Sequence, residues 1–218
     1  MKTNQEYKNV ALAALKGKWA PAVVCTIVLI LIGGPVMGLS YVYDMGTAPT
    51  GIVYSLMGSS FLVSLFVVYP LYVGYYNVFK DVLIYGEEKI TNRMFSIAFT
   101  KVLRNGFGLL LTSIFVGLWT LLFIIPGIIK SFAYAMTPYI LVDYPDLSPN
   151  QAINLSIKMM KGHKFDLFWL GLSFIGWGIL SILTLGIGLF WLIPYVQTAM
   201  AAFYVDVKAE YEAKQVAA

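Results

Sequence analysis

The stretch that decides the fold is residues 167–205, LFWLGLSFIGWGILSILTLGIGLFWLIPYVQTAMAAFYV, whose 39 residues include no Asp, Glu, Lys or Arg. As one α-helix rising about 1.5 Å per residue it would reach roughly 58 Å, about twice the ~30 Å hydrocarbon core of a bilayer. The stretch therefore has to fold back on itself. Residues 184–188 contain Gly186 and Gly188, which permit a tight reversal. We predict a hairpin of two membrane-spanning helices here.

The composition as a whole is typical of an integral membrane protein. Of the 218 residues, 59% are hydrophobic and 12% are charged, whereas soluble domains carry about 25% charged residues to keep their surfaces wetted. Residues 19–43, 45–79 and 105–129 are also free of charge, and each exceeds the ~18 residues that suffice to cross a bilayer. We predict an all-α, polytopic transmembrane helical bundle and exclude a soluble globular domain.

The apolar segments fit about six spanning helices arranged in three hairpins. These hairpins would comprise residues 19–40 with 51–79, the two halves of 105–142, and the two halves of 167–205. The first turn would hold Asp44, Ala48 and Pro49, and the second would lie within residues 123–127, around Pro126. Four long, kinked helices are the alternative that the same pattern allows.

The basic residues lie on one side of this topology. They cluster before the first hairpin, between the hairpins and after the last one: Lys2, Lys8, Lys16, Lys18, Lys80, Lys89, Arg93, Lys101, Arg104, Lys158, Lys161, Lys164, Lys208 and Lys214. By the positive-inside rule, both termini and both long connections are predicted to be cytoplasmic. The net charge of +4 then indicates attraction to anionic lipid headgroups, and nothing indicates nucleic-acid binding.

Each hairpin is preceded by a stretch that predicts an interfacial amphipathic helix ending in a basic turn. The apolar faces of these helices would dip into lipid, and their lysines would face the headgroups. Proline recurs in each returning helix, at Pro70, Pro126 and Pro194. These features predict a single membrane domain, 1–218, with possible repeats at 4–80, 88–143 and 148–207. A threefold repeat would leave room for a central cavity.

Four short blocks carry a resemblance to a known family: KGKW at residues 16–19, IPGI at 125–128, MMKGHK at 159–164 and LTLGIG at 183–188. With these blocks, and along most of its length, the chain closely resembles the bacterial integral-membrane family catalogued as domain of unknown function nine-seven-five. A weaker likeness, in layout alone, is to the membrane domain found beside some bacterial glycerophosphodiester phosphodiesterases. The resemblance implies a multi-pass protein of the bacterial cytoplasmic (inner) membrane, and it brings no activity and no catalytic residues.

His163 is the single histidine of the chain. It could form a proton-transfer pair with Asp166, or hold a lipid phosphate together with neighbouring lysines, or simply belong to a solvated interfacial turn. No activated Ser or Cys and no second metal-ligating His or Cys lies nearby in sequence, so we predict no catalytic residue, no metal and no cofactor. The candidate interfacial lipid contacts are Lys16, Lys18, Arg104, Lys161, His163 and Lys164.

Lys130 is the one basic residue close to a predicted hairpin tip, and no acid lies within twelve residues on either side. An ionisable group inside a spanning segment is a functional candidate by default. Lys130 could therefore bind an anionic headgroup or substrate in a cavity. Alternatively, it lies about one turn inside the tip and extends its ammonium group outward to water.

The absence of catalytic motifs favours a non-catalytic protein that binds or organises lipids or partner proteins, with a homo-oligomer as one possible assembly. A small transporter or channel with a pathway near Lys130 is the alternative, and an intramembrane enzyme is the third class. A polar central cavity would favour transport. A packed bundle with an exposed apolar groove would favour the binding of lipids or partners.

Overall fold

The computed structural model describes residues 1–44 and 58–216, with side chains from 1–33 and 58–216. Within these ranges the chain is helical and has no strand. The predicted turn at Ala48 and Pro49 lies outside the described residues, whereas Asp44 ends the second helix. The helices are α1 Asn4–Leu15, α2 Trp19–Asp44, α3 Gly58–Tyr85, α4 Ile90–Phe99, α5 Val102–Leu122, α6 Ile124–Tyr134, α7 Thr137–Asp143, α8 Pro149–Met159, α9 Lys164–Leu172, α10 Ile175–Leu183 and α11 Leu189–Val216.

Four helical segments of the described chain are long and apolar enough to cross a membrane. They are α3, α5, the α6–α7 segment Ile124–Asp143 and the α9–α10 segment Lys164–Leu183. A fifth candidate is the pair α1 and Trp19–Gly33, which bends by 100° at the break between its two helices. The protein is therefore all-helical with at least four candidate membrane spans in the part described.

The reversals between helices occur at short, sharp breaks. Between α5 and α6 the chain turns at Phe123, which is extended at φ −156° and ψ 133°. Between α10 and α11 the turn covers residues 184–188, with Leu185 and Gly186 at positive φ. Gly188 lets the two arms approach, because a Cβ there would lie 2.8 Å from Ser181 Oγ.

The three prolines occupy different helical environments. Pro70 follows a π-helical turn, Ser64–Val68, within α3. A π-turn changes the hydrogen-bonding register of a helix, and here it precedes a proline, which has no N–H to donate. Pro126 is in the first turn of α6, where its missing N–H is not needed. Pro194 lies inside α11, and Thr198 Oγ1 donates to its carbonyl oxygen at 2.8 Å.

Two helix breaks were not predicted, and each is stabilised by a polar side chain from a short helix. Between α6 and α7, the Ser156 hydroxyl of α8 donates to Ala133 O at 2.8 Å and accepts from Met136 N at 3.2 Å. Between α9 and α10, the Lys8 ammonium of α1 donates to Ser173 O at 2.6 Å. A side chain inserted into the backbone ladder is a standard cause of a helix kink.

The short helices α1, α4 and α8 bury their apolar faces against protein, where the sequence predicted lipid. Each packs on a longer helix or segment. Tyr7 of α1 contacts Phe203 of α11 with ring centroids 5.6 Å apart, Met94 of α4 meets Gly74 of α3, and α8 bonds to α6 through Ser156. The buried residues are Tyr7, Ala11 and Leu15 in α1, Ile90, Met94, Ile97 and Ala98 in α4, and Ala152, Ile153, Ser156 and Met159 in α8. These helices are thus part of the core packing.

The centre of the bundle is filled by aromatic side chains from α3, α7 and α11. Tyr139 stacks on Tyr204 with ring centroids 4.7 Å apart, and Tyr76 meets Tyr139 edge-on at 5.8 Å. Tyr139 and Tyr204 are completely buried. In the described part of the chain, these rings pack against one another where α3, α7 and α11 meet.

Candidate functional site

A buried ionic cluster joins the three inner helices. Lys80 of α3 forms an ion pair with Asp143 at the end of α7, and Lys80 is only 4% exposed. From α11, Lys208 Nζ donates to Asp143 Oδ2 at 2.7 Å and the Tyr204 hydroxyl donates to the same oxygen at 2.8 Å. One carboxylate thus accepts hydrogen bonds from two different helices besides its own.

The cluster borders a cavity of about 220 Å³, whose lining also includes Ile84 and Glu212. Sequence reasoning missed this site because Lys80 and Lys208 were counted among the cytoplasmic basic residues. Asp143, which directly follows the segment 105–142, was not considered as a candidate. One signal could have found it: an aspartate lies at or next to the end of an apolar run at three places, Asp81, Asp143 and Asp206.

The other two aspartates pair with the short helices. Asp81 accepts from Arg93 Nε of α4 at 2.6 Å. Asp206 accepts from Lys2 Nζ at 2.6 Å and from the Tyr7 hydroxyl of α1 at 2.9 Å. Charged groups at the ends of the returning helices are therefore used mainly to hold the bundle together.

Arg104, predicted to contact lipid, instead caps the C-terminal end of α7. Its guanidinium donates to the carbonyl oxygens of Leu141, Tyr144 at 2.7 Å and Leu147 at 2.8 Å. The last carbonyls of a helix lack partners within the helix, and a cation there also interacts favourably with the helix dipole. Because all three guanidinium nitrogens donate to backbone carbonyls, Arg104 is bonded to the protein itself, and the predicted lipid contact is replaced by this cap.

We expect Arg104→Gln to lower the free energy of unfolding by about 2 kcal/mol, because hydrogen bonds from a charged group to three carbonyls are lost. Thermal unfolding of the detergent-purified protein measures the change. Lys161→Gln is the matched control, since Lys161 was also predicted to contact lipid, is exposed, and makes no side-chain hydrogen bond among the described residues. Equal melting temperatures for the two variants would contradict the capping role.

The remaining predicted lipid contacts divide into two groups. Lys18 donates to Gly86 O at 2.7 Å. His163, whose side chain is 13% exposed, lies 3.3 Å from both Asp166 Oδ2 and Glu210 Oε1 and so links α9 to α11. Lys16 and Lys161 are exposed and Lys164 is half-buried, and these three stay available to a headgroup.

Glu210 is further held by Lys214, whose ammonium donates to Glu210 Oε1 at 2.7 Å. That hydrogen bond, and more weakly the charge of His163, lower the pKa of the Glu210 carboxyl from its usual value. His163 therefore lies between two carboxylates, Asp166 and Glu210, and the contacts described for its ring include no Ser or Cys that it could activate.

Lys130 lies over an aromatic ring. Its ammonium is 4.6 Å from the centroid of the Trp119 indole on α5, which is a cation–π contact. Lys130 is half-buried. It lines neither the cavity beside Asp143 nor the Trp-lined groove and the cavity between α4 and α5 that are described below. Its role as a ligand contact stays a prediction.

No group of three or more His, Cys, Asp or Glu side chains that could hold a metal ion occurs among the side chains described, those of residues 1–33 and 58–216. Cys25 is buried in α2 as a free thiol.

An apolar groove opens between the α1–α2 junction and the hairpin of α10 and α11. Its volume is about 390 Å³, and it is called the Trp groove here because its walls include Trp19, Trp177 and Trp191. Leu12, Leu180 and Leu192 also line it. Among the described residues, no Asp, Glu, Lys or Arg lines the Trp groove, and its polar lining consists of Ser181, Thr184 and Tyr195. The hydroxyls of Ser181 and Thr184 donate to backbone carbonyls of the same hairpin.

The fold and these sites define a protein that is all-helical in its described residues, with several helices able to cross a membrane and a cluster of buried aromatic side chains. The chain belongs to the family described as Protein of unknown function (DUF975), whose profile matches residues 90–211. The family resemblance is thereby confirmed over α4 to α10 and most of α11, whereas the KGKW block at residues 16–19 lies outside the matched range. No curated protein and no solved structure matches the chain.

Proposed function

We propose that this chain is a non-catalytic membrane protein that binds the acyl chain of a lipid in the Trp groove. The observation that carries the proposal is the groove itself: about 390 Å³ of apolar space walled by three tryptophans. Small-molecule sites have volumes of about 300–1,000 Å³ and are lined mainly by apolar and aromatic side chains. An acyl chain supplies the complementary apolar surface without requiring a polar partner.

The stacked tyrosines where α3, α7 and α11 meet are a feature that favours binding over transport in this proposal. A transport pathway near Lys130 has no support from a specific contact, because its ammonium lies over Trp119. Partner proteins and a homo-oligomer are compatible with the same exposed apolar surface.

The proposed topology is six spans in three hairpins in a bacterial cytoplasmic membrane, with both termini in the cytoplasm. Helix order supports this arrangement, since each of the short helices α1, α4 and α8 precedes an outgoing and a returning segment. The asymmetry of Lys and Arg supports the orientation. The three units correspond to the predicted repeats 4–80, 88–143 and 148–207.

The test is photo-crosslinking with a phosphatidylcholine that carries a diazirine in its acyl chain, followed by peptide mapping. We expect labelling of α10 and α11 around Trp177 and Trp191. Trp177→Ala should reduce that labelling several-fold, because it removes one wall of the groove. Trp169→Ala is the control: Trp169 is 57% exposed and Trp177 is 55% exposed, but Trp169 does not line the groove.

Equal labelling of the wild type and Trp177→Ala, or equal loss in the Trp169→Ala control, would overturn the proposal. Leu180→Trp gives a second check that does not depend on removing a large side chain. It fills the groove from α10, so labelling should fall while the melting temperature stays near that of the wild type.

A further inference from the structure

A second cavity, at the junction of α4 and α5, has a different chemistry from the Trp groove. Its volume is about 180 Å³, and it is called the α4–α5 cavity here. Two cations line it, Arg93 and Lys101, and no carboxylate does. Ile97, Asn105 and Leu141, each at most 6% exposed, form part of its lining. The cavity is therefore partly walled by core residues, while its basic residues Arg93 and Lys101 are exposed.

Arg93 is oriented at this cavity by one hydrogen bond that leaves most of its donors free. Only its Nε is used, in the 2.6 Å bond to Asp81. Among the described residues, its two Nη atoms make no hydrogen bond to protein. Guanidinium Nη groups bind phosphate oxygens in pairs, and a guanidinium already fixed through Nε loses little further freedom on doing so.

Lys101 supplies the second cation, and its backbone is in a conformation that lysine rarely adopts. It is the N-cap of α5 at φ 56° and ψ 46°, the left-handed region, where Gly and Asn are favoured. Its ammonium donates to Pro145 O at 3.1 Å and is otherwise unpaired in the described part of the chain. A strained residue at a cavity is an observation from which a functional role can be inferred.

We propose that the α4–α5 cavity binds a phosphate group, held by Arg93 Nη and Lys101 Nζ, with the Ser96 hydroxyl as a further donor. A cavity of about 180 Å³ suits one such group better than a larger ligand. The phosphate comes from an anionic phospholipid headgroup or from a free phosphate in the aqueous phase. The site is separate from the Trp groove and does not rest on acyl-chain binding there.

Two measurements on the full chain distinguish these sources. In the first, inorganic phosphate is titrated into the detergent-purified protein by calorimetry. In the second, the protein is reconstituted in nanodiscs of phosphatidylcholine with phosphatidylglycerol, and retained lipid is identified by native mass spectrometry. Binding in the first alone assigns free phosphate. Retention of phosphatidylglycerol, with or without phosphate binding, assigns the headgroup.

Lys101→Asn is the decisive variant. Asn tolerates the left-handed conformation, so we expect the melting temperature to stay the same or rise, while phosphate affinity or phosphatidylglycerol retention falls roughly tenfold through loss of one charged donor. A purely structural Lys101 would give the opposite result, with lower stability and unchanged binding. Lys101→Arg keeps the charge and should retain binding.

Lys158→Asn on α8 is the charge-matched control, because Lys158 is exposed and lies outside the cavity. It should bind like the wild type. The proposal is overturned if neither ligand binds the wild type, if Lys101→Asn binds as well as the wild type, or if Lys158→Asn weakens binding equally.

Discussion

Replacing Asp143 with Asn should lower the free energy of unfolding by about 3–5 kcal/mol, the usual cost of leaving a buried charge without its partner. Asn has nearly the same volume, so the effect comes from charge. Lys80 is 4% exposed and loses its counterion. The Asn amide also has one acceptor oxygen where Asp143 has two, so it cannot accept from Lys80, Lys208 and Tyr204 as the carboxylate does. For a chain of this length the melting temperature should fall by roughly 10 °C, measured by thermal unfolding in detergent.

Asp146→Asn makes the same charge change three residues later, at an exposed side chain, and should alter stability by less than about 0.5 kcal/mol. Adding Lys80→Met to Asp143→Asn should restore part of the lost stability, because it removes the unpaired buried ammonium. A melting temperature for Asp143→Asn that matches that of Asp146→Asn would show that the cluster does not hold the inner helices together.

Gly74→Ala should be nearly as damaging, although it adds a single methyl group. A Cβ at position 74 would lie 2.3 Å from the Met94 carbonyl oxygen and 2.9 Å from Ala98 Cβ. The clash is with backbone, so α4 has to move away from α3, and overpacking of this kind costs up to about 3 kcal/mol. Thermal unfolding and limited proteolysis between α3 and α4 report the separation of these helices.

Gly117→Ala is the natural comparison, because a Cβ at Gly117 of α5 meets nothing within 4 Å. It should leave stability unchanged or raise it by about 0.5–1 kcal/mol through better helix propensity. If both alanine variants unfold at the same temperature, the close approach of α3 and α4 does not depend on Gly74.

Local features of the sequence predicted the reversals well. The turn at residues 184–188 includes Gly186, which has a positive φ, and the break at Phe123 lies three residues before Pro126, within the predicted turn at 123–127. Both follow from the backbone preferences of a few neighbouring residues. The charge-free segments likewise gave the membrane-protein class, because bilayer thickness sets a length that can be counted.

The contacts of individual charged side chains could not be predicted, because the charge of a residue and its place in the sequence do not specify which residue it meets in the folded protein. Asp143 pairs with Lys80 and Lys208, 63 and 65 residues away. Arg104 and Lys18 were assigned to headgroups but bond backbone carbonyls. The faces of the short helices are apolar whether lipid or protein covers them, and only the tertiary arrangement decides.

The contact between α1 and α11 has a consequence for how the protein is made. Tyr7 and Asp206 are 199 residues apart, and synthesis proceeds from the N-terminus. The apolar face of α1, with Tyr7, Ala11 and Leu15, is thus complete at the ribosome long before its partner exists. Until α11 has been synthesised, the part of that face that packs on α11 lacks its native partner and is available to an insertase or chaperone. A nascent chain that stops short of α11 therefore differs from one that contains it in the cover of this apolar face.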